Sequence, residues 1–238
     1  MTSVAIITGG TGTIGAAIAA QFQARGQIVV AADLDELPVP QGQHFIRFDA
    51  TDPASVAALF EQAAALGTIT DIVVSHGVGA VTLPGSADPM VASKVIDVNL
   101  KGVALVCDQA SGYLGEGSSI LLVSSMSATM GRIGHAYAYQ ASKAGVEQLT
   151  RIFAVAYGPR GIRVNCVAPG FMQKIMKGPT GPTARDHAGG TEGARNAVPL
   201  RRLVVEDDIA DAVSFLCSSR ARSITGVVLP VDCGMRAN

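Results

Sequence analysis

The 238-residue chain has no run approaching eighteen apolar residues, no block of like charge and no Pro/Ser-rich linker. The first absence argues against a membrane-spanning helix. The second, with a formal net charge of −1, argues against a surface that neutralises a nucleic-acid backbone. Without a linker, and with 48% hydrophobic residues available for a core, the expectation is one domain over 1–238. Cysteine is scarce. Cys107, Cys166, Cys217 and Cys233 lack metal-type spacing and lie in mostly apolar segments, which predicts buried reduced thiols. His44, His76, His135 and His187 are equally dispersed, and no Asp/Glu/His cluster has ligand spacing, so no catalytic metal is expected. No basic region precedes the first apolar run, which is used up as a strand, so neither secretion nor membrane insertion is expected and a reducing cytoplasm fits.

What the chain does have is alternation. Apolar strand-like runs at 3–8, 28–33, 44–48, 71–75, 119–124, 163–168 and 227–231 are separated by helical patterns. That order predicts an α/β fold: a doubly wound sheet of about seven parallel strands with helices on both faces. Asp52-Pro53 supplies a cap and first-turn proline for a helix through Ala65; one helix is expected over 89–110, another over 138–156, and an acidic first turn at Glu206-Asp207-Asp208 opens the last. The segment 171–199 reads as irregular and as a cover for the substrate. There are no internal repeats.

The first strand runs into Gly9-Gly10-Thr11-Gly12-Thr13-Ile14-Gly15 and then an Ala-rich helix. Glycines allow the tight turn and the close approach of a pyrophosphate, whose charge rests on the N–H groups at the start of the helix. Strand, turn and helix stand in the order that dinucleotide binding requires. The second strand ends in Asp33, eighteen residues past Gly15. A carboxylate there bonds the adenosine ribose of NAD and repels the extra phosphate of NADP, and no Lys or Arg lies beside it in 31–36, so NAD is expected. In open parallel sheets ligands bind beyond the carboxyl ends of the strands, where Gly9, Asp33, Asp49, Ser75, Ser125 and Pro169 all fall.

Tyr139 and Lys143 stand four residues apart, which puts a phenol and an ammonium on one face of a helix. A neighbouring cation stabilises a phenolate, the arrangement a proton-transfer group needs. Taken alone the pair is weak; together with the dinucleotide opening it is specific.

At these residues the chain resembles the short-chain dehydrogenase/reductase family, in its branch of roughly 250-residue chains, over nearly its whole length. The Tyr-x-x-x-Lys motif is Tyr139 and Lys143, the serine after the fifth strand is Ser125, and the asparagine of the preceding helix is Asn99. The stretches 163–170 and 224–232 match two further signatures. The resemblance implies hydride transfer between NAD and a secondary alcohol or ketone. Ser125 holds the substrate oxygen, Tyr139 moves the proton, Lys143 bonds the nicotinamide ribose, and Asn99 holds a water that links the lysine to solvent. Gly9, Thr11, Gly12, Thr13, Ile14, Asp33, Asp49, Ala50, Ser75, Tyr139, Lys143, Pro169 and Gly170 are the expected cofactor contacts. A small-molecule substrate and a homo-oligomer, a tetramer by preference, complete the expectation.

Four departures stand out. Thr13 takes the place of a middle glycine, the usual Asn-Asn-Ala-Gly loop reads Ser75-His76-Gly77-Val78, and Lys174 replaces a threonine. Ser125 lies fourteen residues before Tyr139, one more than usual, which leaves Ser127 as a rival. Readings that keep the fold are an epimerase using the cofactor transiently and a silent dinucleotide sensor or scaffold. The retained Ser125, Tyr139 and Lys143 argue against the silent one.

Overall fold

In the computed structural model, residues 2–131, 136–172, 177, 178, 181, 182 and 190–237 are described. Strands β1 (Ser3–Thr8), β2 (Ile28–Asp33), β3 (Gln43–Arg47), β4 (Thr68–Val74), β5 (Ser119–Val123), β6 (Arg163–Pro169) and β7 (Val228–Val231) form one seven-stranded sheet. Its order is β3-β2-β1-β4-β5-β6-β7 and every pairing is parallel. The expected doubly wound sheet is therefore present, with β3 starting one residue and β4 three residues earlier than the apolar pattern indicates.

Alternate residues of each strand feed opposite cores, because side chains in a strand repeat with period two. Val4, Ile6, Ile72, Ile120 and Leu122 pack against helices α2 (Pro53–Ala64), α4 (Gly102–Ala110) and α5 (Tyr137–Tyr157). Ala5, Ile7, Val73, Leu121 and Val123 pack against α1 (Thr13–Ala24) and α7 (Glu206–Cys217). Burial on both faces explains why the strands read as continuous apolar runs. Among the described residues, no helix is long and apolar enough to cross a membrane. All four cysteines are buried and free.

Two expectations need correction. The helix expected over 89–110 is interrupted: α3 (Pro89–Ile96) passes through a π-helical turn, Asp97–Lys101, before α4. Asn99 is the buried residue of that turn. Its Oδ1 accepts from the Val78 N–H at 2.8 Å and its Nδ2 donates to the Val78 carbonyl at 2.8 Å, a two-bond clamp that favours the wider turn. Periodicity does not register one extra residue per turn. The segment 171–199 is also not wholly irregular: α6 (Gly190–Asn196) lies within it, Lys177–Gly178 pairs with Gly181–Pro182, and Met172 bridges to Val204. A seven-residue helix with two glycines is too short and too poor in formers to announce itself.

The chain leaves β1 outward to β3 and then returns to β4, so the carboxyl ends of β1 and β4 flank the point where the winding reverses. A crevice opens there. The Ser75 hydroxyl and N–H both donate to the Thr8 carbonyl, at 2.7 and 3.1 Å, and pin the two strand ends together. On the far side, the Arg163 guanidinium donates to the carbonyls of Leu216, Cys217 and Ser218, and Asn165 holds Ile224 and Val227. The signature stretch 163–170 thus ties α7 and the approach to β7 onto the sheet.

Candidate active site

A cleft of about 600 Å³ runs along the carboxyl edge of the sheet. Its volume suits a ligand of cofactor size. At one end lie Asp33, Asp49 and Ala50, at the centre Gly9 and Thr11 to Gly15, and at the other end Ser125, Tyr139, Lys143, Pro169 and Gly170. All thirteen expected cofactor contacts line it. Of the four expected catalytic residues, Ser125, Tyr139 and Lys143 line it and Asn99 does not.

The glycine turn is built for close approach. Gly9 has φ +67°, and a Cβ there would lie 2.8 Å from the backbone of His76; a Cβ on Gly15 would meet the Gly9 carbonyl oxygen at 2.1 Å. Larger residues would push α1 away from the sheet. Gly12 caps α1 without any side-chain bond to its first turn, and that turn carries no acidic residue. The N–H groups beside the cleft are left for an anion. Thr13, in the place of the middle glycine, begins the helix with its side chain exposed, so it does not obstruct the turn. Thr11 faces elsewhere than a pyrophosphate: its N–H and hydroxyl both donate to Asp33 Oδ2, at 3.2 and 2.5 Å.

Asp33 is half-exposed on the cleft wall, and its Oδ1 accepts from the Leu34 N–H at 2.9 Å. Its surroundings differ from the sequence reading in one respect. Arg47 is the register partner of Asp33 across β2 and β3, and Lys94 lines the cleft, so two cations belong to this part of the structure. Strand pairing and helix packing bring them from 14 and 61 positions away, beyond the reach of a local search. Both act on Asp49, whose carboxyl is held below its ordinary range mainly by the Thr51 hydroxyl and N–H, at 2.7 and 2.8 Å, with Lys94 and Arg47 adding to the effect.

Helix α5 buries a stripe that includes Tyr139, Lys143, Val146, Glu147, Thr150, Ala154 and Tyr157, the spacing of one helical face. Tyr139 is 8% and Lys143 3% exposed. A buried ammonium needs partners. Lys143 Nζ donates to the Val123 carbonyl at 2.8 Å and lies 5.9 Å from the centre of the Tyr139 ring. A Cβ on Gly77 would stand 3.3 Å from Asn99 Oδ1 and 3.4 Å from Lys143 Nζ, so glycine leaves room between these two polar ends. Asn99 reaches the site through that gap and not through the cleft wall.

Ser125 caps the short 3₁₀ turn Met126–Ala128, its Oγ accepting from the Ser127 N–H at 3.2 Å, and it is 4% exposed on the cleft wall. Ser127 does not line the cleft. The extra residue before Tyr139 therefore falls after Ser125 and leaves its position at the strand end intact. Lys174 lies outside the described residues.

The cap on α5 escaped the sequence reading, as did the buried environment of His76. Thr82 caps α5 from a distant loop: the N–H groups of Tyr137 and Ala138 donate to its carbonyl and hydroxyl oxygens, each at 3.1 Å. Among the described residues no local side chain caps α5; Ala136 at its N-cap makes no such bond. His76 replaces a loop asparagine, and its Nδ1 lies 2.7 Å from Thr8 Oγ1. Burial, with the charge of Lys143, pushes its pKa down from 6.5 to about 3, so the ring is neutral.

The likeness to known proteins follows the same outline. Residues 10–236 match the family profile described as enoyl-(acyl carrier protein) reductase. The chain belongs to the short-chain dehydrogenase/reductase family. It is 35% identical to cis-4-hydroxycyclohexanecarboxylate dehydrogenase of Sinomonas cyclohexanicum, across 98% of this chain and 96% of that one. It is 32% identical to D-threitol dehydrogenase of Mycolicibacterium smegmatis, across 97% and 92%. Ligand-free aldohexose dehydrogenase of Thermoplasma acidophilum superposes with a TM-score of 0.89 at 27% identity, over 100% of this chain and 95% of that structure. This short-chain dehydrogenase/reductase is accordingly an oxidoreductase that works with a nicotinamide cofactor, NAD(P), on a small-molecule substrate.

Proposed function

We propose that the protein is an NAD-dependent dehydrogenase of secondary alcohols, running in reverse as a ketone reductase. The observation that carries this reading is the continuous cleft joining the Asp33 carboxylate, the glycine turn and the Ser125–Tyr139–Lys143 group on one edge of the sheet. The glycine cradle and the uncapped start of α1 fit a pyrophosphate, and the Asp33 carboxylate fits an unphosphorylated adenosine ribose. When bound, the nicotinamide supplies the hydride acceptor.

The chain's own groups do the rest. Ser125 Oγ, at the end of β5, holds the substrate oxygen, and the phenolic oxygen of Tyr139 takes the hydroxyl proton in oxidation or returns it in reduction. Lys143, anchored in its buried place by the Val123 carbonyl, offsets the negative charge that develops on the phenolic oxygen as the proton moves, and reaches the nicotinamide ribose. Asn99 fixes the Gly77-Val78 loop beside that lysine and orders a water across the gap that Gly77 leaves. The segment 171–199, which follows β6 at the catalytic end, covers the substrate. Exposed Ile152 (50%) and Val155 (79%) on α5 support a homo-oligomer, a tetramer by preference, and the four buried free thiols fit a reducing cytoplasm.

The test is a screen of secondary alcohols, cyclic alcohols and polyols first, for reduction of NAD by the purified protein. Stoichiometric NADH from at least one of them is expected. Binding of NAD with no turnover on any alcohol or ketone would leave a silent binder instead.

A further inference from the structure

The 3₁₀ turn Met235–Ala237 near the C-terminus brings Arg236 to the back of the catalytic group, 89 residues from Glu147 and 111 from Ser125. One nitrogen, Nη2, donates to Glu147 Oε1 at 2.9 Å and to the Ser125 carbonyl at 3.2 Å. Glu147 stands one turn beyond Lys143 on α5, and its side chain is only 7% exposed. Between them, Ser124 Oγ donates to the Lys143 carbonyl at 3.0 Å and lies 3.3 Å from Glu147 Oε1. The arginine is itself held. Asp232, directly after β7, accepts the N–H of Arg236 through Oδ2 and that of Gly234 through Oδ1, both at 2.9 Å.

We infer that Arg236 is a positioning residue for catalysis, an inference that rests on the function proposed above. It couples the strand end carrying Ser125 to the helix carrying Tyr139 and Lys143. The Ser125 carbonyl otherwise receives the Ala128 N–H, at 3.0 Å, from its own turn. The Arg236 bond links this carbonyl, through Glu147, to α5, beyond the bonds that Ser124 and Lys143 make between the strand end and the helix. The two catalytic oxygens must meet at one substrate atom, and a displacement of about 1 Å costs roughly 100-fold in rate. Stability does not account for the arrangement. Arg236 Nε is buried and has no hydrogen-bond partner among the described residues, and a buried ion pair replaced by apolar residues of similar volume is often no less stable.

That contrast gives the experiment. Arg236→Met leaves the Glu147 carboxylate buried without its cation, so both the melting temperature and kcat should fall. In the double variant Arg236→Met/Glu147→Met the melting temperature should recover. There kcat should stay roughly 10- to 100-fold below wild type, with the Kd for NADH within about twofold, since the adenosine end is untouched. A readout free of turnover is amide exchange across 125–128, which should remain faster in the double variant than in wild type, while exchange in β1 is unchanged. Recovery of kcat together with the melting temperature, or equal exchange across 125–128, or faster exchange everywhere alike, would overturn the inference. If no alcohol is oxidised by the wild type, the functional reading fails, and the exchange experiment still decides whether Arg236 holds the Ser125 turn.

Discussion

The hydroxyl of Thr11 donates to Asp33 Oδ2 at 2.5 Å, and the N–H of the same residue donates to the same oxygen at 3.2 Å. The glycine turn and the end of β2, 22 residues apart, are thereby joined across the cleft. The carboxylate is aimed before any ligand arrives, and one face of each oxygen still has acceptor capacity.

Cofactor choice should follow from this aim. A 2′-phosphate against the Asp33 carboxylate loses a hydrogen bond and meets like charge, about 2 to 4 kcal/mol together, so NAD should be preferred by roughly 30- to 1000-fold. Asp33→Ala should shrink that margin mainly by weakening NAD. Thr11→Val, which keeps the N–H bond and removes the hydroxyl, should cut it by about tenfold. The ratio of kcat/KM for the two cofactors in all three proteins checks this; equal use of NADP by the wild type would show that Arg47 and Lys94 outweigh the carboxylate.

Tyr139→Phe removes the proton-transfer oxygen and keeps the ring packed in its place. Turnover should drop by at least about 100-fold with NADH binding preserved. Ser125→Ala should be severely impaired and Ser127→Ala only mildly, because only the first of these lines the cleft. Steady-state kinetics with fluorescence titration of NADH separates the two roles, and near-normal turnover of Tyr139→Phe would remove the tyrosine from the mechanism.

Thr82 is buried and caps α5 just before Tyr139. Thr82→Val keeps the volume but leaves the Ala138 N–H without its acceptor, so unfolding free energy should fall by about 1 kcal/mol. The first turn of α5 should loosen with it, lowering kcat more than the Kd for NADH. Urea unfolding alongside kinetics tests both; an unchanged stability would mean that the Thr82 carbonyl alone suffices.

His76 should govern part of the acid sensitivity. Its pKa falls from 6.5 in the unfolded chain to about 3 in the fold, so below pH 6.5 the unfolded state binds a proton that the native state refuses. Its contribution is therefore complete above about pH 6.5 and is lost as the pH falls toward 3. Between pH 7 and 4.5 that amounts to about 2 to 3 kcal/mol at most. His76→Asn should flatten this part of the stability curve. Urea midpoints at the two pH values provide the measurement, and parallel curves would show that the ring titrates normally.

The sequence by itself determined the sheet, the long helices on its faces and the rim on which the site lies. Strands buried on both faces must be apolar throughout, helices must carry a stripe, and a pyrophosphate needs glycine; each demand is local and leaves a local mark. The placing of Ser125, Tyr139, Lys143 and Asp33 along one cleft was legible because they sit at strand ends or at helical spacing. The tertiary structure alone decided what meets what. The placing of Arg47 opposite Asp33, Thr82 on the start of α5, the wider turn that Asn99 makes toward Val78, and Arg236 between Glu147 and Ser125 are pairings across many residues. They arise from strand register and from the need of buried polar groups for partners, and neither is encoded in the residues on either side of each partner.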